Sequence, residues 1–376
     1  MNNEDKKIET IVRNVSDSDA FEIACRILKE GGLVAFPTET VYGLGGDGLR
    51  AESSEKIYAA KGRPSDNPLI IHIADMADVE RLAREIPDKA RTLMEAFWPG
   101  PLTVILKKKP EVPDTTTGGL DTVAIRMPSH PDAARLIRES GVLIAAPSAN
   151  TSGRPSPTLA EHVIDDMNDK IDMILDGGPV GIGIESTIVD MTGDTPVILR
   201  PGYITKHMLE GVLGEVKIDK AIIEPDPNLR PKAPGMKYTH YAPSGKLTIV
   251  ETSGRSYGDG NFDSDDTESR DDFGGPVSQA VIDRINLETE KAESEGLVTA
   301  VLTTSDMADR YKCKNIITLG ESGSGTTVAA RLYAALRECD RIGAEVIFSE
   351  SFDRDELGFS IMNRLLKAAG HRVIEV

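Results

Sequence analysis

The first 215 residues alternate between short apolar runs and longer segments whose apolar residues recur at helical spacing. Phe21, Ala24, Ile27 and Leu28 fall on one face of a predicted helix, which Gly31 ends. Apolar runs such as LVAF, LIIHI, LTVILK and TVAIRM have the length and composition of strands, and some follow one another with no helix between them. Neighbouring strands mixed with helices predict a mixed α/β sheet that contains antiparallel pairs.

Residues 246–376 alternate more regularly, from the strand KLTIV through three long helical segments to the terminal strand RVIEV. This regular alternation predicts a smaller, Rossmann-like parallel sheet. Residues 221–245 between the two units are Pro-rich and predict a linker. Residues 252–275 interrupt the second unit with a strongly acidic, apolar-poor stretch, which predicts a mobile insertion.

Length and charge narrow the class of protein. A chain of 376 residues favours two domains, and a formal net charge of −18 argues against a protein that coats nucleic acid or an anionic membrane. No apolar run reaches 18 residues and no signal-peptide pattern opens the chain, so the sequence predicts a cytoplasmic protein. The scattered Cys25, Cys313 and Cys339 predict reduced packing thiols, with neither disulfides nor a zinc site.

The stretch FPTETVYGLGGDG carries Gly43, Gly45 and Gly48 in the spacing G-x-G-x-x-G. In a dinucleotide fingerprint the glycines follow a strand directly, and an acid closes the next strand. Here PTETVY intervenes, and the next strand ends near His72. We therefore interpret these glycines as positions where the lack of a side chain allows the backbone to pack closely. The hydroxyls of PTETVY leave two interpretations open, an ordinary loop or the wall of a small-ligand site.

Other polar groups also stand at predicted strand or helix ends. Lys61 and Arg63 suit phosphate oxygens, although cations at a helix C-terminus also complement its dipole. Arg126 ends an apolar strand, where it needs either a ligand anion or an internal salt bridge. Ser148 and Asn150 follow another apolar run, where they can contact a nucleotide or cap the next helix. Converging strand ends of this kind predict one pocket.

Eight segments carry a likeness to a known family: FPTETVYGLG, KGRPSDNPL, WPGPLT, VAIRMPSHP, APSANTSGRPSPT, ESTIVD, LRPG and the linker APGMKYTHYAP. They occur in the order found in the YrdC/Sua5 family, and the whole chain resembles its long, two-domain Sua5 form. The resemblance implies a twisted mixed sheet with a large, positively lined concave pocket in residues 1–220. It further implies a lid in residues 221–245 and a Sua5 C-terminal domain in residues 246–376.

The activity that the resemblance implies is the condensation of L-threonine, bicarbonate and ATP to threonylcarbamoyl-AMP and pyrophosphate, usually with Mg²⁺. A separate complex would then use this adenylate to modify tRNA. The pocket motifs contain cations, hydroxyls and amides, but no Ser-His-Asp set and no Cys-His pair. Such a site would work by positioning and charge neutralisation, with little proton transfer.

The resemblance also implies roles for matched positions. The predicted catalytic residues, which match the K-x-R and S-x-N signature at the nucleotide, are Lys61, Arg63, Ser148 and Asn150. The further predicted ATP contacts are Asn67, Thr122, Ser156, Arg200 and Tyr241. The predicted threonine contacts are Thr38, His72, Arg126, Ala146 and Ser186. Glu39 and Glu185 could help hold Mg²⁺, but structural roles are favoured, so no metal ligand is predicted.

Two alternatives have weaker support. YrdC-like domains also occur in carbamoyltransferases of hydrogenase maturation, but the zinc-finger and acylphosphatase-like parts of those proteins have no counterpart here. The net negative charge argues against an RNA-binding module. The sequence leaves direct tRNA binding open. The linker too has two interpretations, a passive spacer or a lid that excludes water through Tyr241.

Overall fold

The computed structural model describes residues 8–223, 231–234, 241–253, 277–352 and 356–376. Most of the predicted acidic insertion, residues 252–275, lies outside the described residues. The predicted linker, residues 221–245, is described only in part.

The first unit is built on one mixed sheet, as the sequence predicts. Its order is β1-β8-β2-β3-β7-β4-β6-β5-β9-β10-β11, with five parallel and five antiparallel pairings. The strands are β1 (Ile11–Asn14), β2 (Val34–Phe36), β3 (Gly43–Asp47), β4 (Ile70–His72), β5 (Leu102–Lys107), β6 (Thr122–Arg126), β7 (Ile144–Ala145), β8 (Met173–Asp176), β9 (Thr187–Asp190), β10 (Val197–Arg200) and β11 (Lys217–Ile218).

Helices cover this sheet with their apolar faces. In the first of them Phe21, Ala24 and Leu28 are buried together, which confirms the amphipathic pattern of that segment. The helices are α1 (Ala20–Lys29), α2 (Ala51–Lys61), α3 (Val79–Leu82), α4 (Asp88–Phe97), α5 (Asp114–Thr117), α6 (Pro131–Ser140), α7 (Ala160–Met167), α8 (Lys206–Leu213) and α9 (Lys220–Ile223). None of the helices in the described part of the chain could span a bilayer.

The glycine-rich stretch forms strand β3, which returns antiparallel to β2, at a place where the sequence predicted no strand. A Cβ at Gly45 would lie 2.7 Å from the side chain of Ile144, and one at Gly48 would lie 2.9 Å from the carbonyl oxygen of Leu143. These glycines therefore allow close packing, and no phosphate-binding turn forms here.

The second unit is a parallel sheet with helices on it, which confirms the predicted Rossmann-like alternation. Its strand order is β14-β13-β15-β12-β16, and every pairing is parallel. The strands are β12 (Lys246–Glu251), β13 (Thr299–Thr303), β14 (Ile316–Thr318), β15 (Val346–Glu350) and β16 (Val373–Glu375). The helices are α10 (Gln279–Ser294), α11 (Gly325–Arg341) and α12 (Glu356–Ala368).

Helices α11 and α12 face the first unit. Gly183, with φ of +83°, approaches α11 so closely that a Cβ there would lie 2.4 Å from the carbonyl oxygen of Ala329. Val41, Ile184 and Tyr241 share one apolar cluster with the core of the second unit. All three cysteines are buried free thiols, in line with their predicted packing role.

Candidate functional site

Polar ends of several strands converge on one cavity, the usual setting of a small-molecule site. Strands β4 and β6 contribute His72 and Arg126, and helix α2 contributes Lys61 at its C-terminus. The predicted site residues that line the cavity are Thr38, Lys61, Arg63, His72, Arg126, Ala146, Ser148, Asn150, Arg200 and Tyr241. The structure therefore brings ten predicted residues together from seven segments of the chain.

Lys61 and Arg63 have no carboxylate partner among the described ion pairs, and each donates to main-chain carbonyls. Lys61 Nζ donates to the carbonyls of Ser148 and Asn150, while Arg63 Nε and Nη2 donate to those of Asn67 and Pro68 at 3.3 and 3.1 Å. Burial lowers the pKa of Lys61 well below its usual value and lowers that of Arg63 to about 10. A buried lysine and a half-buried arginine, both held by neutral groups, leave positive charge for an anionic ligand.

The loop after β7 is ordered by its own polar side chains. Ser148 Oγ donates to Asn150 Oδ1 at 2.5 Å, and Asn150 Nδ2 donates to the carbonyls of Thr151 and Arg154. Residue 148 also forms a β-bridge with Gly43 of β3. The loop thus presents a hydroxyl, an amide and main-chain carbonyls to the cavity in a fixed arrangement.

Arg126 forms an internal salt bridge with Glu39, the alternative that the sequence left open. Nη2 lies 2.7 Å from Glu39 Oε1, and both Arg126 Nε and Glu39 Oε2 are buried without a hydrogen bond to any described group. Burial raises the pKa of Glu39, but the charge of Arg126 and its hydrogen bond, with smaller contributions from the backbone, together lower it overall. The pair therefore keeps unused hydrogen-bonding capacity on both partners.

His72 is neutral at physiological pH. Burial lowers its pKa to about 3, and the Arg126 charge adds to this effect. Its Nδ1 lies 3.1 Å from the carbonyl oxygen of Ile70. Because that carbonyl can only accept, Nδ1 carries the proton and Nε2 is left as an acceptor.

Four of the predicted residues do not line the cavity. Asn67 lies behind Arg63, with a buried Oδ1 that has no described partner. Thr122 begins β6 at the end opposite Arg126, about 13 Å away along the strand. Ser156 and Ser186 lie beneath the pocket. Ser156 bonds to the lining residue Glu185, and Ser186 bonds to the lining residue Arg200.

Glu185, the first residue of the segment ESTIVD, lines the cavity, and the sequence favours a structural role for it. Its carboxylate accepts from Ser156 Oγ at 2.7 Å, from Tyr333 Oη at 2.8 Å and from Arg364 Nε at 3.2 Å. Burial raises its pKa, but the charges of Arg364 and then Arg200 lower it to about 2 overall. Two of these partners come from helices α11 and α12, and no local motif marks them.

The described parts of the linker close the cavity from two points. Pro234 and Tyr241 both line it, and Ala242 N donates to the carbonyl of Gly153 at 2.9 Å. The Tyr241 ring packs on Tyr333 with ring centres 5.1 Å apart. Tyr241 has a positive φ of 66°, an uncommon conformation for a residue other than glycine. The linker residues are therefore held by both units.

The carboxylates at the cavity do not form a metal site by themselves. Both Glu39 and Glu185 are engaged with guanidinium groups. Within the described residues, no cluster of three His, Cys, Asp or Glu side chains is suited to hold a metal ion. Neither carboxylate is assigned as a metal ligand.

The fold and the site together define an α/β protein with an enclosed, cationic pocket for a small polyanion. Two family models match the chain, one described as "Telomere recombination" over residues 26–202 and one described as "Threonylcarbamoyl-AMP synthase, C-terminal domain" over residues 204–370. The threonylcarbamoyl-AMP synthase of Bacillus subtilis is 48% identical over 352 residues, which cover 93% of each chain. That of Pyrococcus abyssi is 44% identical over 370 residues, covering 98% of this chain and all of that protein.

Solved structures agree with these relatives. The crystal structure of P. abyssi Sua5 complexed with L-threonine matches with a TM-score of 0.86 at 44% identity, over 98% of this chain and 100% of that one. The chain belongs to the threonylcarbamoyl-AMP synthase family, in its two-domain Sua5 form. The resemblance carried by the eight sequence segments is confirmed, and the chain is an enzyme of the nucleotidyltransferase type.

Proposed function

We propose that this enzyme condenses L-threonine, bicarbonate and ATP to threonylcarbamoyl-AMP and pyrophosphate. The observation that supports this function best is a single cavity lined by four basic side chains, Lys61, Arg63, Arg126 and Arg200. A site for an amino acid next to a nucleotide needs cations for both a carboxylate and the phosphates. The adenylate would supply the tRNA threonylcarbamoyladenosine modification made by a separate complex, in the cytoplasm.

The proposed chemistry has two steps. The threonine amine and bicarbonate give a carbamate with loss of water, and a carbamate oxygen then attacks the α-phosphorus as the bond to pyrophosphate breaks. Lys61 and Arg63 would stabilise the charge that develops on the phosphates. Arg126 would bind the threonine carboxylate through two parallel hydrogen bonds, with His72 Nε2 as an acceptor nearby.

The other assigned residues would complete these two subsites. Ser148 and Asn150 would orient the nucleotide, with Asn67, Thr122, Arg200 and Tyr241 as further ATP contacts. Thr38 and Ala146 would contact threonine. Because Ser156 and Ser186 lie one layer below the cavity, we propose that they act through Glu185 and Arg200.

Mg²⁺ would be held mainly by the nucleotide. Sites of this class commonly bind the ion through one or two carboxylates plus substrate phosphates. Here the two nearby carboxylates are ion-paired, so they do not fit as a ready set of ligands. We therefore assign no chemical step to the metal.

The proposed function assigns a separate role to each of three segments of the chain. We propose residues 1–220 as the catalytic domain, residues 221–245 as its lid and residues 246–376 as the C-terminal domain. A lid is useful because the mixed anhydride product hydrolyses readily in water.

Tyr241→Ala should lower the yield of adenylate about threefold to tenfold, the equivalent of one lost aromatic contact, since the Tyr333 ring would no longer hold the lid. The yield is measured by mass spectrometry after a fixed turnover of ATP. Tyr203→Ala is the matched control, because Tyr203 packs on the core of the first unit and does not line the cavity. Equal yields in the two variants would reject the lid.

The function itself is tested with labelled bicarbonate. Purified chain, threonine and ATP should give a labelled adenylate of the expected mass, and pyrophosphate release should require threonine. Serine in place of threonine should give clearly less product. Equal turnover with serine, or no turnover with any amino acid, would contradict the assignment.

A further inference from the structure

The carboxylate of Glu185 lies among cations that a polyanionic ligand needs. Glu185, Arg200 and Lys61 all line the same cavity, and Glu185 is ionised because the charges of Arg364 and Arg200 outweigh its burial. An uncompensated carboxylate at this place would attract the neighbouring cations and repel phosphate oxygens.

Arg364 supplies the compensating charge from the second unit. It lies on α12 and is fully buried, and its Nε donates to Glu185 Oε2 at 3.2 Å while its Nη1 donates to the carbonyl of Pro201. Arg364 does not belong to the cavity lining, so it reaches Glu185 from behind the ligand site. Burial lowers its pKa, but the attraction of Glu185, the contributions of Tyr241 and Tyr333 and the hydrogen bond to Glu185 together raise it overall.

Arg200 is the pocket cation that competes for Glu185. Its Nε and Nη2 donate to the carbonyl and the hydroxyl of Ser186 at 3.0 Å each. No ion pair within 4.0 Å joins Arg200 to Glu185 among the described side chains, although the two segments pack closely: a Cβ at Gly202 would lie 2.5 Å from Thr187 N. Glu185 thus has an alternative cationic partner within reach if Arg364 is removed.

We propose that Arg364 is a positioning residue of the nucleotide pocket, which keeps Glu185 paired from behind and so leaves the guanidinium of Arg200 available to a phosphate. This inference rests on the proposed function, because it takes ATP as the ligand. It gives the second unit a direct part in the binding site, because Arg364 on α12 neutralises Glu185 in a pocket that the first unit builds.

The test is a double-variant comparison in the full chain, with ATP binding measured by titration calorimetry. Arg364→Met should raise the Kd for ATP about tenfold, since Glu185 would then capture Arg200 and one charge-assisted contact would be lost. Adding Glu185→Gln should bring the Kd back to within about threefold of wild type, because neither buried charge remains. The Kd for threonine should change little in both variants.

Arg337→Met is the matched control, because it breaks another buried ion pair between the units, Arg337 Nη2 to Asp166 Oδ2 at 2.8 Å. Both Arg364→Met and Arg337→Met should lower the Tm. Adding Glu185→Gln should lower the Kd for ATP towards the wild-type value in the Arg364→Met background, and it should not do so in the Arg337→Met background. If Arg364→Met does not fold, Arg364→Lys replaces it. Lysine cannot bond both Glu185 and Pro201 as arginine does, so a smaller loss of affinity is expected, again reversed by Glu185→Gln.

The outcomes separate this inference from the proposed function. Wild-type affinity for ATP in the Arg364 variants, or a loss that Glu185→Gln does not reverse, would show that Arg364 only stabilises the interface and would overturn the inference alone. Failure of the wild-type chain to bind ATP would overturn the proposed function, and the inference with it.

Discussion

Replacing Lys61 by methionine should lower kcat/KM for ATP by about 10²- to 10³-fold, the effect of removing one fixed donor from a developing negative charge. The expectation follows from the position of Lys61: it lines the cavity, it is buried, and within the described part of the chain its ammonium donates only to the carbonyls of Ser148 and Asn150. The measurement is steady-state pyrophosphate release with ATP varied at saturating threonine. Threonine binding should be little affected.

The same substitution should have a small effect on stability at neutral pH. Two carbonyls lose a donor, at a cost of about 1–3 kcal/mol, but the buried ammonium is no longer desolvated. The pKa of Lys61 is lowered well below 10.5 by burial, so between its folded value and 10.5 the unfolded chain binds more protons. The stability of wild type relative to Lys61→Met should therefore rise with pH through that window, as followed by chemical denaturation.

Lys56→Met is the matched control for Lys61→Met. Lys56 lies on the same helix, is exposed and donates to the carbonyl of Gly31, away from the cavity. It should change neither the kinetics for ATP nor the pH dependence of stability. An equal loss of activity in both variants would point to damage in α2 and contradict a phosphate-binding role for Lys61.

The local pattern of the sequence predicted most of the fold. Amphipathic spacing in α1 and regular alternation after residue 246 both depend on neighbours along the chain, and both are confirmed. Strand β3 was not anticipated because glycine has low strand propensity. In β3 the side chains of Phe36 and Ile144 fill the space that a side chain at Gly45 would occupy. That packing is set by tertiary structure.

The site was predictable where its residues stand at the ends of recognisable elements, as Lys61 and Arg126 do. The partners of these residues were not predictable, since Glu39 and Arg126 are 87 residues apart and Tyr333 reaches Glu185 across 148 residues. Such pairs depend on how distant elements and the two units dock. A single sequence holds no local signal for that docking.

Arg126→Gln should have the second large effect, and it should act on two properties at once. We expect the KM for threonine to rise about 10- to 100-fold, because a bidentate charged contact with the substrate carboxylate is lost. We also expect a loss of about 3–5 kcal/mol in the free energy of unfolding, because Glu39 stays buried without its cation. Threonine kinetics and urea unfolding measure the two effects separately.

The pH dependence of Arg126→Gln should be opposite to that of wild type. In wild type the pKa of Glu39 is lowered, so this carboxylate contributes stability above its usual pKa of 4.5 that is lost as pH falls through the folded value. Without Arg126, burial is the largest remaining effect and raises the pKa, so stability is lost as pH rises through the new value. The gap in stability between the two proteins should widen from pH 4 to pH 7.

Adding Glu39→Gln to Arg126→Gln separates the structural role of Arg126 from the substrate role. The double variant has no buried charge at this place, so it should recover most of the stability and lose the altered pH dependence. It still has no guanidinium for the threonine carboxylate, so the KM for threonine should stay high. Recovery of both properties would mean that Arg126 serves only to neutralise Glu39, and the threonine carboxylate would then need another partner in the pocket.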